Sequence, residues 1–103
     1  TYLKALAAHD NEVPFYVAVP LSSIDWDADN IPIEERDNEE ITRIRGLNDQ
    51  GELDSVILTP EGSAALNIGF DITPGRLVSG LITEKGIVAA TEEGIASLRE
   101  NTR

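Results

Sequence analysis

The stretch RLVSGLITEKGIVAA, residues 76–90, decides the fold of this chain, because its pattern suits either a helix or two strands. Its apolar residues recur at i, i+1, i+4 and i+5, as Leu77, Val78, Leu81 and Ile82. That spacing favours an amphipathic helix over residues 74–85, which would begin at a proline and stop before a glycine. The alternative is a β-hairpin that turns at EKG, residues 84–86. We expect the helix, followed by a short buried strand in GIVAA, residues 86–90.

The rest of the chain alternates between helix and strand signals. TYLKALAAH, residues 1–9, has the one-sided apolar pattern of a short helix, and PFYVAV, residues 14–19, is typical of a buried strand. ITRIRGL and GELDSVILT flank NDQG, residues 48–51, which predicts a β-hairpin with a four-residue loop. A Thr-Pro start predicts a helix over residues 60–67, and Thr91 is expected to cap a last helix.

These segments run in the order helix, strand, acidic loop, strand, strand, helix, helix, strand, helix. The order predicts an α+β fold, organised as a small two-layer mixed domain. A length of 103 residues lies within the usual range of one domain, so residues 1–103 are expected to form a single α+β domain. Because the chain opens on Thr1 and contains no methionine, we expect it to have been trimmed, processed or cut from a longer chain.

The composition excludes several classes of site and of partner. The absence of cysteine rules out disulfides, zinc-thiolate sites, iron-sulfur clusters and thiol nucleophiles. No run of 18 apolar residues and no signal-peptide pattern is present, and we expect a cytoplasmic protein. The net charge of −11 argues against nucleic acid and against a membrane, since both need a basic surface. It predicts a protein partner with a basic surface and leaves the oligomeric state open.

The strongest local feature is an acidic loop over residues 21–40, which contains the stretch IDWDADNIPIEE. Within sixteen residues it sets eight carboxylates against the single base Arg36. The sequence predicts a partner-binding surface made of Asp25, Trp26, Asp27, Asp29, Glu34, Glu35, Asp37, Glu39 and Glu40. Trp26 would be its anchor, because aromatic residues ringed by charge are common at interface hot spots. The simpler alternatives are a solvated acidic face and a tryptophan that folds back under the loop to pack on the core.

The same loop matches half of a calcium-binding loop. Asp25, Asp27 and Asp29 stand at its first, third and fifth positions, and Asn30 suits the turn. Position twelve should be a bidentate glutamate, but it is Arg36, so the pattern fails there. A weak calcium site at the three aspartates is therefore only an alternative, and we expect no metal and no cofactor.

The residues that catalysis would need do not form a recognisable constellation. His9 is the only histidine and lies at the end of the first predicted helix, where the helix dipole explains it. Ser63 follows a glycine but lacks the rest of a nucleophile motif, and the glycines are scattered and form no phosphate-binding loop. We therefore expect a protein that is not an enzyme.

Four segments follow one another over residues 13–99, namely VPFYVAVP, NDQGELDSVILTPEGSAAL, ITPGRLVSGL and GIVAATEEGIASL. In this order they resemble the SseB-type N-terminal domain, a family named for a serine-sensitivity protein. LTPE, residues 58–61, stands where that family has a phenylalanine-threonine-serine helix start, and AAT, residues 89–91, replaces its asparagine-proline. The resemblance implies a noncatalytic interaction domain and transfers no site residue.

These observations favour a noncatalytic protein-binding domain whose acidic loop engages a basic partner, as an inhibitor or immunity protein of a nucleic-acid-binding enzyme would. One alternative is a structural or accessory domain with a salt-adapted acidic surface. The other is a weak calcium-binding module. Removal of salt distinguishes the first two, because only a salt-adapted domain should unfold when its self-repulsion is no longer screened.

Overall fold

The computed structural model of the chain describes residues 1–28 and 30–100. Over this part of the chain there are three helices and two sheets, with two short 3-10 turns at Leu21–Ser23 and Gly75–Leu77. The elements are α1 (Tyr2–Asp10), β1 (Tyr16–Ala18), α2 (Glu39–Thr42), β2 (Arg43–Leu47), β3 (Leu53–Ile57), β4 (Gly80–Thr83), β5 (Gly86–Val88) and α3 (Glu92–Glu100). The predicted α+β class is therefore confirmed. None of the described helices is long and apolar enough to cross a membrane.

The chain folds as two compact units. The first comprises Thr1–Ile31 and the residues from Asp71 onward, and it contains α1, α3 and a three-stranded sheet in the order β1-β4-β5. The second is Pro32–Phe70, with α2 and the two-stranded sheet of β2 and β3. The acidic loop expected over residues 21–40 is therefore shared between the two units, and its last residues begin α2.

Residues 76–90 contain a β-hairpin, so the helix predicted over residues 74–85 is wrong and the alternative is confirmed. β4 and β5 are antiparallel, with Thr83 opposite Gly86 at the turn. Gly86 has φ +108°, and the Thr83 hydroxyl donates to its carbonyl oxygen at 2.9 Å. Residues 80–83 form a strand despite their helical spacing, because β4 is bonded on both sides, to β1 and to β5. Such tertiary pairing overrides the local preference for helix.

The strand predicted within residues 14–19 is present as β1, and it pairs in parallel with β4. Hydrogen bonds extend the pairing at both ends, from Ser79 N to Phe15 O at 2.7 Å and from Val19 N to Ile82 O at 2.9 Å. The residues of β1 alternate between exposed and half-buried. The expectation of a buried strand is therefore wrong, because no residue of β1 is buried among the described residues.

The core of the first unit is small. The buried apolar side chains of the described residues are Ala5, Leu77 and Leu98.

Asp71 accepts a hydrogen bond from Tyr2 N at 2.8 Å and so caps α1 from a distant part of the chain. Thr91 Oγ1 accepts one from Gly94 N at 3.1 Å, which confirms the predicted cap of α3.

The hairpin predicted around NDQG is confirmed as β2 and β3, which pair over five residues each. Its turn is held by Asn48, whose Oδ1 accepts hydrogen bonds of 3.0 Å from the amides of Gln50 and Glu52. Gly51 takes φ +78° there, a conformation that side chains disfavour. The turn chemistry of these few residues is thus sufficient to form the hairpin loop.

The helix predicted over residues 60–67 is wrong. Gly62 takes φ +77°, which ends any helix within its first turn. Further along, Ile68 pairs with Glu35 in an isolated antiparallel bridge, and two amide-to-carbonyl hydrogen bonds of 2.8 Å flank this pair. Pairing with the acidic segment satisfies backbone groups that a single short helix would leave open at its ends.

Arg36 neutralises part of the acidic segment of the second unit. Its guanidinium bonds both carboxylate oxygens of Glu40 at 2.9 Å and lies 3.8 Å from a carboxylate oxygen of Glu34. Asn67 Nδ2 also donates to the Glu40 carboxylate, at 3.1 Å. The hydrogen bond from Arg36, followed by that from Asn67, holds the pKa of Glu40 below its ordinary value, and the bond to Glu40 raises the pKa of Arg36.

We expect Gly75→Ala to destabilise the protein by about 1–3 kcal/mol. A Cβ at Gly75 would lie 2.6 Å from the carbonyl oxygen of Ala90, a backbone atom that cannot rotate away. The matched control is Gly46→Ala, whose Cβ meets no atom within 4 Å among the described residues. Urea unfolding of both variants measures the difference, and equal free energies of unfolding would contradict the expected clash.

We expect Glu40→Gln to lower the free energy of unfolding at about pH 7 and to have a smaller effect at about pH 3. A carboxyl with a lowered folded pKa stabilises the protein above the ordinary glutamate value of about 4.3. That contribution is lost as the pH falls through the lowered pKa. Glu61→Gln is the matched control, because Glu61 has no ion pair among the described residues. Urea unfolding at both pH values measures the free energies of unfolding. An effect of Glu40→Gln that does not change with pH would count against the ion pair.

Candidate functional site

The carboxyl ends of β1 and β4 lie side by side, because the two strands are parallel neighbours. In open α/β sheets, ligands bind outside this edge, where loop side chains and backbone groups converge. A shallow cleft of about 430 Å³ lies there, lined by Ala18, Val19, Pro20, Ile82, Thr83 and Glu84. We call it the carboxyl-edge cleft, and it is the candidate functional site of the first unit.

Glu84 shapes the carboxyl-edge cleft. Pro20 has no N–H, and the next amide, that of Leu21, donates to both carboxylate oxygens of Glu84 at 3.0 and 2.9 Å. The chain then leaves the sheet in a 3-10 turn, closed by a hydrogen bond of 2.9 Å from Ser23 N to Pro20 O. The turn leaves Ser22 and Ser23 exposed, two and three residues after Pro20, the last residue of this segment that lines the cleft.

The cleft lining offers carboxylate, hydroxyl and apolar groups, and none of its residues is a lysine or an arginine. A carboxylate accepts hydrogen bonds from the hydroxyls of a sugar, and it acts as a general acid or base when a substrate proton lies within reach. The described residues contain no group of three His, Cys, Asp or Glu side chains that could hold a metal ion. His9 lies in the last turn of α1, as the sequence predicts.

Trp26 packs against α3 in the first unit. The Arg99 guanidinium carbon lies 5.0 Å from the centre of the indole ring, and Ile95 and Ala96 line the same groove. Arg99 also approaches Asp27 Oδ1 at 3.7 Å. The structure therefore shows the simpler alternative, a tryptophan that folds back on its own chain, and the interface anchor stays a prediction.

The predicted partner-binding residues are divided between the two units. Asp25, Trp26 and Asp27 belong to the first unit, where Asp25 Oδ1 accepts hydrogen bonds of 3.2 Å from the amides of Asp27 and Ala28. The second unit contains Glu34, Glu35, Asp37, Glu39 and Glu40. Asp29 lies outside the described residues, and part of the predicted calcium site lies outside them with it.

Sequence reasoning misses Glu84, because the helix predicted over residues 74–85 makes it an ordinary surface residue. The available signal is an acidic residue that directly follows LIT, residues 81–83. That signal has meaning only once residues 80–83 are assigned to a strand that ends at a ligand-binding edge.

The chain is similar to proteins of one family along most of its length. Residues 1–90 match IF-2B, the Initiation factor 2 subunit family. The chain is 59% identical over 102 residues to the methylthioribose-1-phosphate isomerase of Desulfatibacillum aliphaticivorans, and 55% identical over 107 residues to that of Methylorubrum populi. These matches cover 95% and 100% of this chain but 27% and 29% of the relatives. The chain thus spans a little over a quarter of the length of these curated relatives.

Two solved structures share the fold. One is 5-methylthioribose 1-phosphate isomerase from Pyrococcus horikoshii, with a TM-score of 0.74 and 33% identity, matched over 96% of this chain and 26% of that one. The other is subunit delta of the translation initiation factor eIF-2B from A. fulgidus, with a TM-score of 0.73 and 29% identity, matched over 96% and 27%. The same architecture therefore occurs in an enzyme and in a translation factor.

These comparisons overturn several expectations. The resemblance to the SseB-type domain is wrong, because the matching family is a different one. The expected noncatalytic binding domain, in its inhibitor or immunity form, and the expectation of no enzyme are also wrong, because close relatives are named as isomerases. The salt-adapted and calcium-binding alternatives are replaced by the same finding. A match over residues 1–90 makes the chain a member of the Initiation factor 2 subunit family.

Proposed function

We propose that the full-length protein containing this chain is a methylthioribose-1-phosphate isomerase, and that its carboxyl-edge cleft borders the substrate. The observation that carries the proposal is the identity of 59% over 102 residues with a relative of that name, across 95% of this chain. A fold is shared by proteins of many functions, so similarity of sequence at this level is the stronger support.

The translation-factor alternative rests on the fold alone. The TM-scores of the isomerase and of the translation factor are 0.74 and 0.73, which do not separate the two. Relatives at 59%, 55% and 52% identity all carry the isomerase name. The similarity in sequence therefore favours the enzyme.

The chemistry of the carboxyl-edge cleft suits the sugar end of such a substrate better than its phosphate. The substrate named for the relatives carries sugar hydroxyls, a methylthio group and a phosphate. The cleft lining supplies carboxylate, hydroxyl and apolar groups without a cation, and the chain has a net charge of −11. A phosphate is repelled by such a surface. We therefore assign phosphate binding to the part of the full-length protein outside this chain.

The activity is tested by incubating the purified full-length protein with methylthioribose-1-phosphate and following the mixture by phosphorus NMR. We expect conversion to an isomer of the same mass. A purified curated relative is the positive control. If the substrate persists under conditions in which that relative converts it, the proposed activity is wrong.

A bulky side chain next to the carboxyl-edge cleft tests whether this cleft borders the substrate. We expect Ser22→Tyr to lower kcat/KM by about tenfold or more, because the ring would obstruct the approach to the cleft and displace the substrate. The matched control is Asp10→Tyr, at the exposed end of α1 that leads to the amino end of β1. Equal kinetics in the two variants, with both still folded by circular dichroism, would remove the cleft from the site.

Two expectations from the sequence stay predictions. A basic protein partner would have to compete with local contacts, because Asp25 bonds backbone amides and Asp27 approaches Arg99. Its binding should weaken as salt rises, since exposed charges are screened. The cytoplasmic location expected from the sequence also stays a prediction.

A further inference from the structure

We propose that Glu84 is a positioning residue: its carboxylate sets the path of the Leu21–Ser23 turn and so places the Ser22 and Ser23 hydroxyls for the substrate. The proposal rests on the proposed isomerase function and deepens it. In this role Glu84 acts through the turn and does not touch the reacting atoms.

The backbone pairing with β4 stops just before Leu21. Val19 N donates to Ile82 O at 2.9 Å, which is the last backbone bond between this part of the chain and β4. Amides on one side of a strand recur every second residue, so the next donor on that side is Leu21 N. Leu21 N donates to the side chain of Glu84. In a continued strand, the acceptor at this position would have been a backbone carbonyl.

Backbone groups of the β4–β5 turn form hydrogen bonds within that turn. Thr83 Oγ1 accepts a hydrogen bond from Lys85 N at 3.1 Å and donates one to Gly86 O at 2.9 Å. These bonds direct the chain from β4 into β5 immediately after Thr83. The side chain of Glu84 bonds Leu21, three residues beyond the end of β1, and so takes the place of the next backbone bond of the ladder.

The bond from Leu21 N to Glu84 also fixes the start of the turn that contains the two serines. Leu21 begins the 3-10 turn, and Ser23 and Ile24 then donate to Pro20 O and Leu21 O at 2.9 and 3.1 Å. A hydrogen bond to a carboxylate is stronger than one to a neutral oxygen, so it fixes the first residue of the turn firmly. The position of Leu21 in turn determines where the two exposed serines that follow it lie.

The test uses the full-length protein with Glu84→Ala and Glu84→Gln. Alanine removes the acceptor, whereas glutamine keeps one oxygen at the same reach. We expect Glu84→Ala to lower kcat/KM by about 10- to 100-fold, because small misplacements at a site are costly. We expect Glu84→Gln to restore most of it. Glu61→Ala, an exposed carboxylate of the second unit, is the matched control and should leave kcat/KM unchanged.

Amide hydrogen exchange of Leu21 is the second readout, and it does not depend on activity. We expect faster exchange in Glu84→Ala than in the wild type, with the amide of Val19 unchanged. Unchanged exchange at Leu21, or unchanged kcat/KM in Glu84→Ala, would overturn the proposal. Equal loss of activity in the alanine and glutamine variants would also overturn it, because the carboxyl itself would then take part in the reaction.

The experiment distinguishes a failure of the proposed isomerase function from a failure of the proposed role of Glu84. If the wild-type protein does not isomerise methylthioribose-1-phosphate, the isomerase assignment fails before any variant is compared, and a positioning role in that reaction fails with it. The exchange rate of Leu21 still shows whether Glu84 holds the turn. A protein that is active in the wild type and insensitive to Glu84→Ala contradicts only the role of Glu84.

Discussion

The parallel pairing of β1 with β4 is the interaction on which the first unit depends. It joins residues that are more than 60 positions apart, as the bond from Phe15 N to Ser79 Oγ at 2.9 Å illustrates. Closing such a long loop costs conformational entropy, which the ladder and its side-chain bonds must offset. Because the strands are parallel, their carboxyl ends meet at one edge, and the Glu84 carboxylate closes the pairing there against Leu21. The candidate site is a consequence of this pairing.

Local contacts engage several of the carboxylates that dominate the sequence. Glu40 is bonded to Arg36 and to Asn67 within the second unit, and Asp25 caps a turn within the first. Exposed ion pairs contribute little to stability, so we interpret these contacts as fixing the course of irregular segments. Acidic clusters in a sequence therefore need their local partners identified before a binding role is inferred from charge.

The fold and the function of this chain are supported by different observations. The structure shows an architecture that an isomerase and a translation factor have in common. The functional proposal depends on the identity of 59% with a named enzyme and on the chemistry of one edge of one sheet. Composition alone favours a noncatalytic protein, because this segment, which spans 27% of that relative, contains no recognisable catalytic constellation in its sequence.

The sequence by itself determined the elements whose hydrogen bonds close within a few residues. The NDQG turn, the Thr91 cap and the first helix all belong to this group. Tertiary structure alone decided that residues 74–85 form part of a hairpin and that the segment ending at Asn67 forms no helix, because their bonding partners lie far away in the chain. The same reason hid Glu84, whose meaning comes from Leu21, 63 residues earlier. Local patterns describe local bonds, and a site formed between distant strands exists only once those strands have paired.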